Sequence, residues 1–341
     1  MAKDLITLRP QGLYCEAGDF YIDPWRPVDR AVITHAHADH ARSGSQHYLA
    51  SARGEHVLRS RLGKISLECL DWGEKRQING VSVSLHSAGH VLGSAQVRVE
   101  HRGQIWVASG DYKTEPDSTC DAFEPVECDT FITESTFGLP VYRWQPPAQV
   151  FADMSEWWSG NAANGQCSVL YAYSFGKAQR ILSGVDASIG PIVCHGAVAP
   201  LNEAYRSSGV TLPDTFAVGD VKDRADLSRA LVVAPPSAAG SSWLRRFGKH
   251  SDAFASGWMR LRGARRRRAL DRGFVLSDHA DWPGLQTAIS ATGASRVIVT
   301  HGYEAVMVRW LQDQGLQAQS FQTEFAGEAG SDETTASDLA S

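Results

Sequence analysis

The chain has 341 residues and a formal net charge of -5, from 33 basic and 38 acidic side chains. Its 43% hydrophobic and 21% charged residues fit a globular chain and exclude a mainly disordered one. No apolar run approaches the ~20 residues that span a bilayer. The first residues lack a signal-peptide apolar core, so the expectation is a cytoplasmic protein with no membrane contact.

Up to about residue 135 the chain reads as short strands joined by turns. The segments 20–23, 31–34, 81–85, 95–99, 105–108 and 130–134 are apolar or β-branched runs, and 55–64 has a helical pattern. Pro140, Pro146 and Pro147 mark a change of texture. Beyond them strand-like segments (168–173, 191–194, 231–234) alternate with helical ones (148–161, 177–182, 197–207), the pattern of a parallel βαβ arrangement. The end of the chain repeats the alternation: strands at 273–276 and 296–300, helices at 282–291 and 304–312. The six cysteines are scattered without a Cys-x-x-Cys pair, which argues against a disulfide framework and against a thiolate zinc site.

The strongest chemical signal is His35-Ala36-His37-Ala38-Asp39-His40, directly after the strand at 31–34. In extended backbone, residues i and i+2 point the same way, so His35 and His37 can reach one ion. Asp39 and His40 come as the chain turns and can reach a second. Three more candidates stand at strand ends: His90, Asp111 and His301. His90 and Asp111 each follow a glycine, which permits close backbone approach. Asp111, with two oxygens, is the natural bridge. Imidazole and carboxylate donors suit two divalent ions, zinc first and manganese second. A two-metal site implies hydrolysis at a phosphoryl centre. Asp23 is the best candidate to orient a ligating imidazole. The isolated His47, His56, His86, His101, His195 and His250 read as surface or core histidines.

These residues resemble the metallo-β-lactamase superfamily, whose motifs match here in order as Asp23, His35-x-His37-x-Asp39-His40, His90 and Asp111. Thr133-Glu134-Ser135-Thr136-Phe137-Gly138, Ser277-Asp278-His279-Ala280-Asp281 and Val299-Thr300-His301-Gly302 resemble motifs A, B and C of its β-CASP branch of nucleic-acid nucleases. The resemblance implies an α/β fold: an αββα sandwich with an inserted βαβ-type β-CASP cap. It implies a split core at 1–139 and 269–323, a cap at 140–268 and a disordered acidic tail at 324–341. The stretches 18–30, 256–259 and 277–282 resemble bacterial ligase-associated DNA exonucleases. That likeness implies a metal-dependent enzyme degrading single-stranded DNA from its 5′ end in DNA repair, beside an ATP-dependent ligase and a helicase. Many eukaryotic DNA-directed members carry valine at motif C and RNA-directed members histidine. His301 therefore keeps a ribonuclease of RNA processing open as the alternative. A thioester or lactam hydrolase fits the cap and motifs A and B less well, and a non-catalytic scaffold fits the intact ligand set less well.

On this basis His35, His37, His90 and Asp111 are assigned to a first metal, and Asp39, His40, Asp111 and His301 to a second. His279 is assigned as general acid, polarised by Glu134. Ser174, Gly176 and Lys177, at a strand-to-helix turn, are candidate phosphate contacts. The net charge conceals a basic segment: residues 245–272 hold ten basic side chains against Asp252 and Asp271. Arg267 and Arg268 within it are candidate contacts to a nucleic-acid backbone.

Overall fold

The computed structural model describes residues 3–261 and 270–325. Arg267, Arg268 and the chain beyond Phe325 lie outside the described residues. The chain forms two units. The first joins the stretch up to Arg143 to the stretch from His279 onward, and the second is Trp144–Asp278.

The first unit opens with β1 (Thr7–Arg9), β2 (Gly12–Cys15), β3 (Phe20–Ile22), β4 (Arg30–Val32), β5 (His47–Ser51) and, after helix α1 (Glu55–Leu62), β6 (Leu67–Leu70). They make a six-stranded sheet in chain order. Pairing is antiparallel from β1 to β3 and parallel from β3 to β6. A meander of β7 (Lys75–Ile78), β8 (Val81–Ser87), β9 (Ala95–His101) and β10 (Gln104–Ala108) follows, with β11 (Thr130–Ser135) parallel to β10.

In the second unit, α2 (Pro147–Ala163) leads into β12 (Cys167–Tyr171), α3 (Lys177–Gly184), β13 (Ile192–Cys194), α4 (Ala199–Ser207), α5 (Arg224–Leu227), β14 (Leu231–Ala234), β15 (His250–Ala255) and β16 (Arg272–Phe274). The five strands pair parallel in the order β13-β14-β12-β15-β16. Every residue of β12, β13 and β14 is buried, as expected for strands of a covered parallel sheet. The chain leaves β12 first toward β13 and β14 and later toward β15 and β16. The C-terminal end of β12 is thus a topological switch point, where open α/β sheets hold ligands. The sequence reading returns the chain to the first unit at residue 269. The pairing of Ala253 with Arg272 instead keeps β16 in the second unit's sheet, and the return comes at His279. Trp258 packs partly buried against this unit's core.

The first unit is completed by α6 (Trp282–Ala291), β17 (Arg296–Gly302), α7 (Glu304–Asp313) and β18 (Gln317–Ser320). Its second sheet has seven strands in the order β18-β17-β11-β10-β9-β8-β7. Alternation along the strands explains its packing. Val81, Val83 and Leu85 of β8 and Val97 and Val99 of β9 share one core with Leu13, Ile22, Val32 and Leu49 of the first sheet. The opposite face, with Val107, Phe131, Val297 and Val299, packs on Leu285 and Ile289 of α6 and Met307 and Leu311 of α7. Two sheets thus lie face to face, with two helices covering the outer face of the seven-stranded one. Among the described residues no helix is long and apolar enough to cross a membrane.

Candidate metal centre

The sequence-predicted ligands of the first unit converge from loops at strand ends. His35 and His37 follow β4, and a turn in which the amides of His40 and Ala41 donate to the His37 carbonyl brings Asp39 and His40 back beside them. His90 follows β8, Asp111 follows β10, and His301 lies near the end of β17. Two glycines permit the crowding. A Cβ at Gly89 (φ +70) would stand 2.3 Å from the Lys113 carbonyl oxygen, and one at Gly110 (φ +57) 2.7 Å from Thr34.

The donor atoms fall into two sets. His37 Nδ1 lies 3.0 Å from His35 Nε2 and 3.1 Å from His90 Nε2. Asp111 Oδ2 lies 3.6 Å from His35 Nε2 and 3.8 Å from His90 Nε2. Donors 2.0–2.1 Å from a tetrahedral zinc ion stand about 3.3 Å apart, so these four atoms have the size of a coordination shell. In the second set His40 Nε2 lies 3.7 Å from Asp39 Oδ2 and 3.5 Å from Asp111 Oδ1, which is 3.2 Å from His301 Nε2. Asp111 therefore turns one oxygen to each set. His40 Nε2, Asp111 Oδ1 and His301 Nε2 are buried with no hydrogen-bond partner. Buried polar atoms are almost always bonded; a cation between these would satisfy all three. The set of His35, His37, His90 and Asp111 is compatible with divalent metal binding, and so is a group of Asp111, Glu134 and His279.

The hydrogen bonds behind the ligands fix which nitrogen faces the centre. Asp23 is buried with a left-handed backbone (φ +44), a conformation that an Asp tolerates better than most residues. Its Oδ2 accepts from the Thr34 hydroxyl (2.5 Å) and from His40 Nδ1 (2.7 Å), and its Oδ1 accepts from the Thr34 amide. Having given its proton to Asp23, the Thr34 hydroxyl can only accept from His35 Nδ1, 3.0 Å away. Thr300 repeats the device: its hydroxyl donates to the Thr133 carbonyl and accepts from His301 Nδ1. All three imidazoles thereby turn Nε2 inward. The Thr-His pairs at 34–35 and 300–301 were visible in the sequence but were not read as orienting residues.

The electrostatics call for positive charge. Burial alone would raise the Asp111 carboxyl, but His40, His279 and His301 hold it well below the usual carboxylate range. Burial works against a charged His40, yet Asp111, Asp39 and Asp23 push its pKa up to about 10. Burial, reinforced by His40, drives His35 well below the usual histidine range. Asp23 itself is raised by burial, against the pull of His40 and Thr34.

Glu134 and His279 meet beside the same carboxylate. A register shift between Thr133 and Ser135 in β11 re-aims Glu134. Its carboxylate accepts from His279 Nδ1 at 2.9 Å and from the amides of Tyr112 and Thr136. His279 Nε2 then faces Asp111 Oδ2 at 4.0 Å, and its ring lies 4.5 Å from that of His90.

The candidate phosphate contacts lie in the second unit, where β12 gives way to α3. The Gly176 amide donates to Gln179 Oε1, so that N–H is already used. Lys177 is fully buried, with its ammonium 3.5 Å from Asp278 Oδ2 and over the Tyr173 ring. Ser174 Oγ is buried and has no hydrogen-bond partner.

No family model matches the chain. Over 311 residues, 90% of its length, the chain is 32% identical to a protein of Opitutus terrae named "Probable DNA ligase", of which the match covers 30%. A 122-residue stretch, 35% of the chain, is 29% identical to Endoribonuclease YSH1 of Kluyveromyces lactis and covers 16% of that protein. The protein of the same name in Schizosaccharomyces pombe matches at 30% identity over 122 residues. The chain thus spans less than a third of the length of these curated relatives. A crystal structure of a protein of unknown function from Enterococcus faecalis superimposes with a TM-score of 0.59, over 86% of this chain and 79% of that one. At 12% identity that likeness speaks for a shared mixed α/β fold alone.

Proposed function

We propose that the chain is a metal-dependent nuclease of the metallo-β-lactamase type with a β-CASP cap, and that it degrades single-stranded DNA from an end, the 5′ end first. The observation that carries the reading is the bridging position of Asp111, one oxygen in each donor set. His35, His37, His90 and Asp111 would hold one ion, and Asp39, His40, Asp111 and His301 the other; zinc suits them first and manganese second. When bound, such ions supply Lewis-acid stabilisation of a phosphoryl centre and a water acidic enough to act near neutral pH.

The chain's own residues handle the proton. Hydrolysis breaks a P–O bond and leaves an oxygen that needs a proton. His279, with Nδ1 held by Glu134 and Nε2 turned toward Asp111, donates from Nε2. The switch point at the end of β12 supports phosphate binding by the second unit. There the Ser174 hydroxyl is the contact, Gly176 shapes the turn, and Lys177 supplies charge from behind. Arg267 and Arg268 complete the proposed backbone contacts.

Similarity over 90% of the chain to part of a protein named as a probable DNA ligase supports DNA as substrate and a role beside a DNA ligase; an ATP-dependent ligase and a helicase as partners rest on the sequence resemblance. The matches to endoribonucleases, together with histidine at position 301, favour RNA as the second reading. Matched DNA and RNA strands, labelled at either end and digested with zinc or manganese, decide between them. Progressive loss of the 5′ label from DNA is expected. Cleavage of RNA alone would move the assignment to a ribonuclease, and one internal product from end-blocked DNA would refute the exonuclease.

A further inference from the structure

The last described residues are not a loose acidic tail. After β18, which pairs parallel with β17, the chain continues alongside the ligand end of β17. The Phe321 amide donates to the Val299 carbonyl (2.9 Å) and the Thr323 hydroxyl to the Thr300 carbonyl (2.6 Å). Gln322 donates to Glu304, and Glu324 pairs with Arg26 at 2.9 Å. These bonds deliver Phe325 onto the metal-ligand cluster. Its ring stacks on the His40 imidazole, 4.4 Å between centroids and 8° from parallel, and meets the His301 ring edge-on at 5.7 Å. Behind it stands Trp25, at 5.6 Å and 80°, itself anchored by a bond from Nε1 to the Pro10 carbonyl.

His40 is therefore held on three sides. Asp23 takes its Nδ1 proton, the His35 ring lies 4.2 Å away at a 40° tilt, and Phe325 stacks on the imidazole. The remaining direction, Nε2, looks toward Asp39 and Asp111. Phe325 also lines a small cavity together with Asp23, Thr34, His40, Thr300 and His301. Both imidazoles that it meets belong to the second donor set.

We infer that Phe325 is a positioning residue for the second metal: carried by the 321–325 strap, it fixes the ring plane of His40 and keeps water from the outer side of that half of the centre. The inference rests on the two-metal reading above and adds an asymmetry to it. Residues that orient metal ligands govern affinity by 10–100-fold in comparable sites, and here the effect must fall on one ion of the two. A residue that merely packs the chain end would affect neither ion, or both through a loosened fold.

The test is a zinc titration of the stripped full-length chain, read by competition with a chromophoric chelator and by native mass. Wild type should bind two ions. Phe325→Ala should bind the first with wild-type affinity and the second about 10–100-fold more weakly. Phe325→Tyr, which keeps the stacking face, should stay within about twofold of wild type for both, on the same reasoning. Phe325→Leu keeps most of the bulk without the aromatic face, guards against loss of fold, and should weaken the second ion in the same direction. Equal affinities in Phe325→Ala and wild type, or equal loss of both ions, would overturn the inference. A wild-type chain that takes up no zinc would instead overturn the metal reading beneath it.

Discussion

Asp23 ties the ligand histidines together through one carboxylate. It accepts from His40 directly and, through the Thr34 hydroxyl, sets the tautomer of His35 as well. Asp23→Asn replaces one acceptor oxygen by an NH₂ that cannot accept. Zinc affinity should fall about 10–100-fold in a chelator-competition assay, and unchanged affinity would show that the histidines orient themselves. His279 should behave differently, since its Nε2 lies beside the donor sets and its Nδ1 is held by Glu134. His279→Ala should keep its metal content and lose about 10²–10⁴-fold in turnover; loss of metal would make His279 a ligand. The candidate ligands were legible because four of them stand within six residues of a strand end. Thr34 and Thr300 were not, because a threonine at a strand end has many uses. Phe325 was hidden by its acidic, glycine-containing context, which reads as a tail.

At the scale of elements, apolar alternation made β8 to β11 and β17 readable, and the helix after each later strand announced the parallel sheet. The strands β1, β2, β5, β6, β7, β15 and β18 escaped notice. Of these β1, β6, β7 and β18 are partly exposed, and Lys75–Ile78 carries no apolar stripe. β16 was readable as a strand but not as a partner of β15, because pairing joins residues separated by a segment without a pattern. One contact ties the chain's beginning to a ligand-bearing strand: Arg296 at the start of β17 grips Asp4 with two bonds, of 2.6 and 2.9 Å. The hydrogen bond and charge of Arg296 hold the Asp4 carboxyl below its ordinary value despite some burial. A lowered carboxylate contributes stability above its unfolded pKa and loses it as pH falls through the folded one. Asp4→Asn should therefore cost up to about 1 kcal/mol near neutral pH, a ceiling set by the partial exposure of the pair. The difference should vanish in strong acid. Urea unfolding of both proteins at two pH values checks this, and a penalty independent of pH would assign it to packing.

For the whole molecule, the first unit is interrupted in sequence by the second, and motifs on either side of the interruption meet in one site. His279 follows the second unit directly and pairs with Glu134 of β11. The net charge of -5 conceals the basic segment that contains Arg267 and Arg268. If these two contact a phosphate backbone, replacing both with Ala should weaken DNA binding and flatten the log–log salt dependence by about 1.4 for a single strand. An unchanged slope would leave the segment a solvated surface. The proposed hydrolytic centre requires Asp111 to join the two donor sets. Adding zinc or manganese stepwise to the stripped chain, while following cleavage of an end-labelled DNA strand, tests that directly. Cleavage should rise until two ions are bound per chain and then level off. A plateau at one ion, or cleavage that survives stripping of the metal, would contradict it.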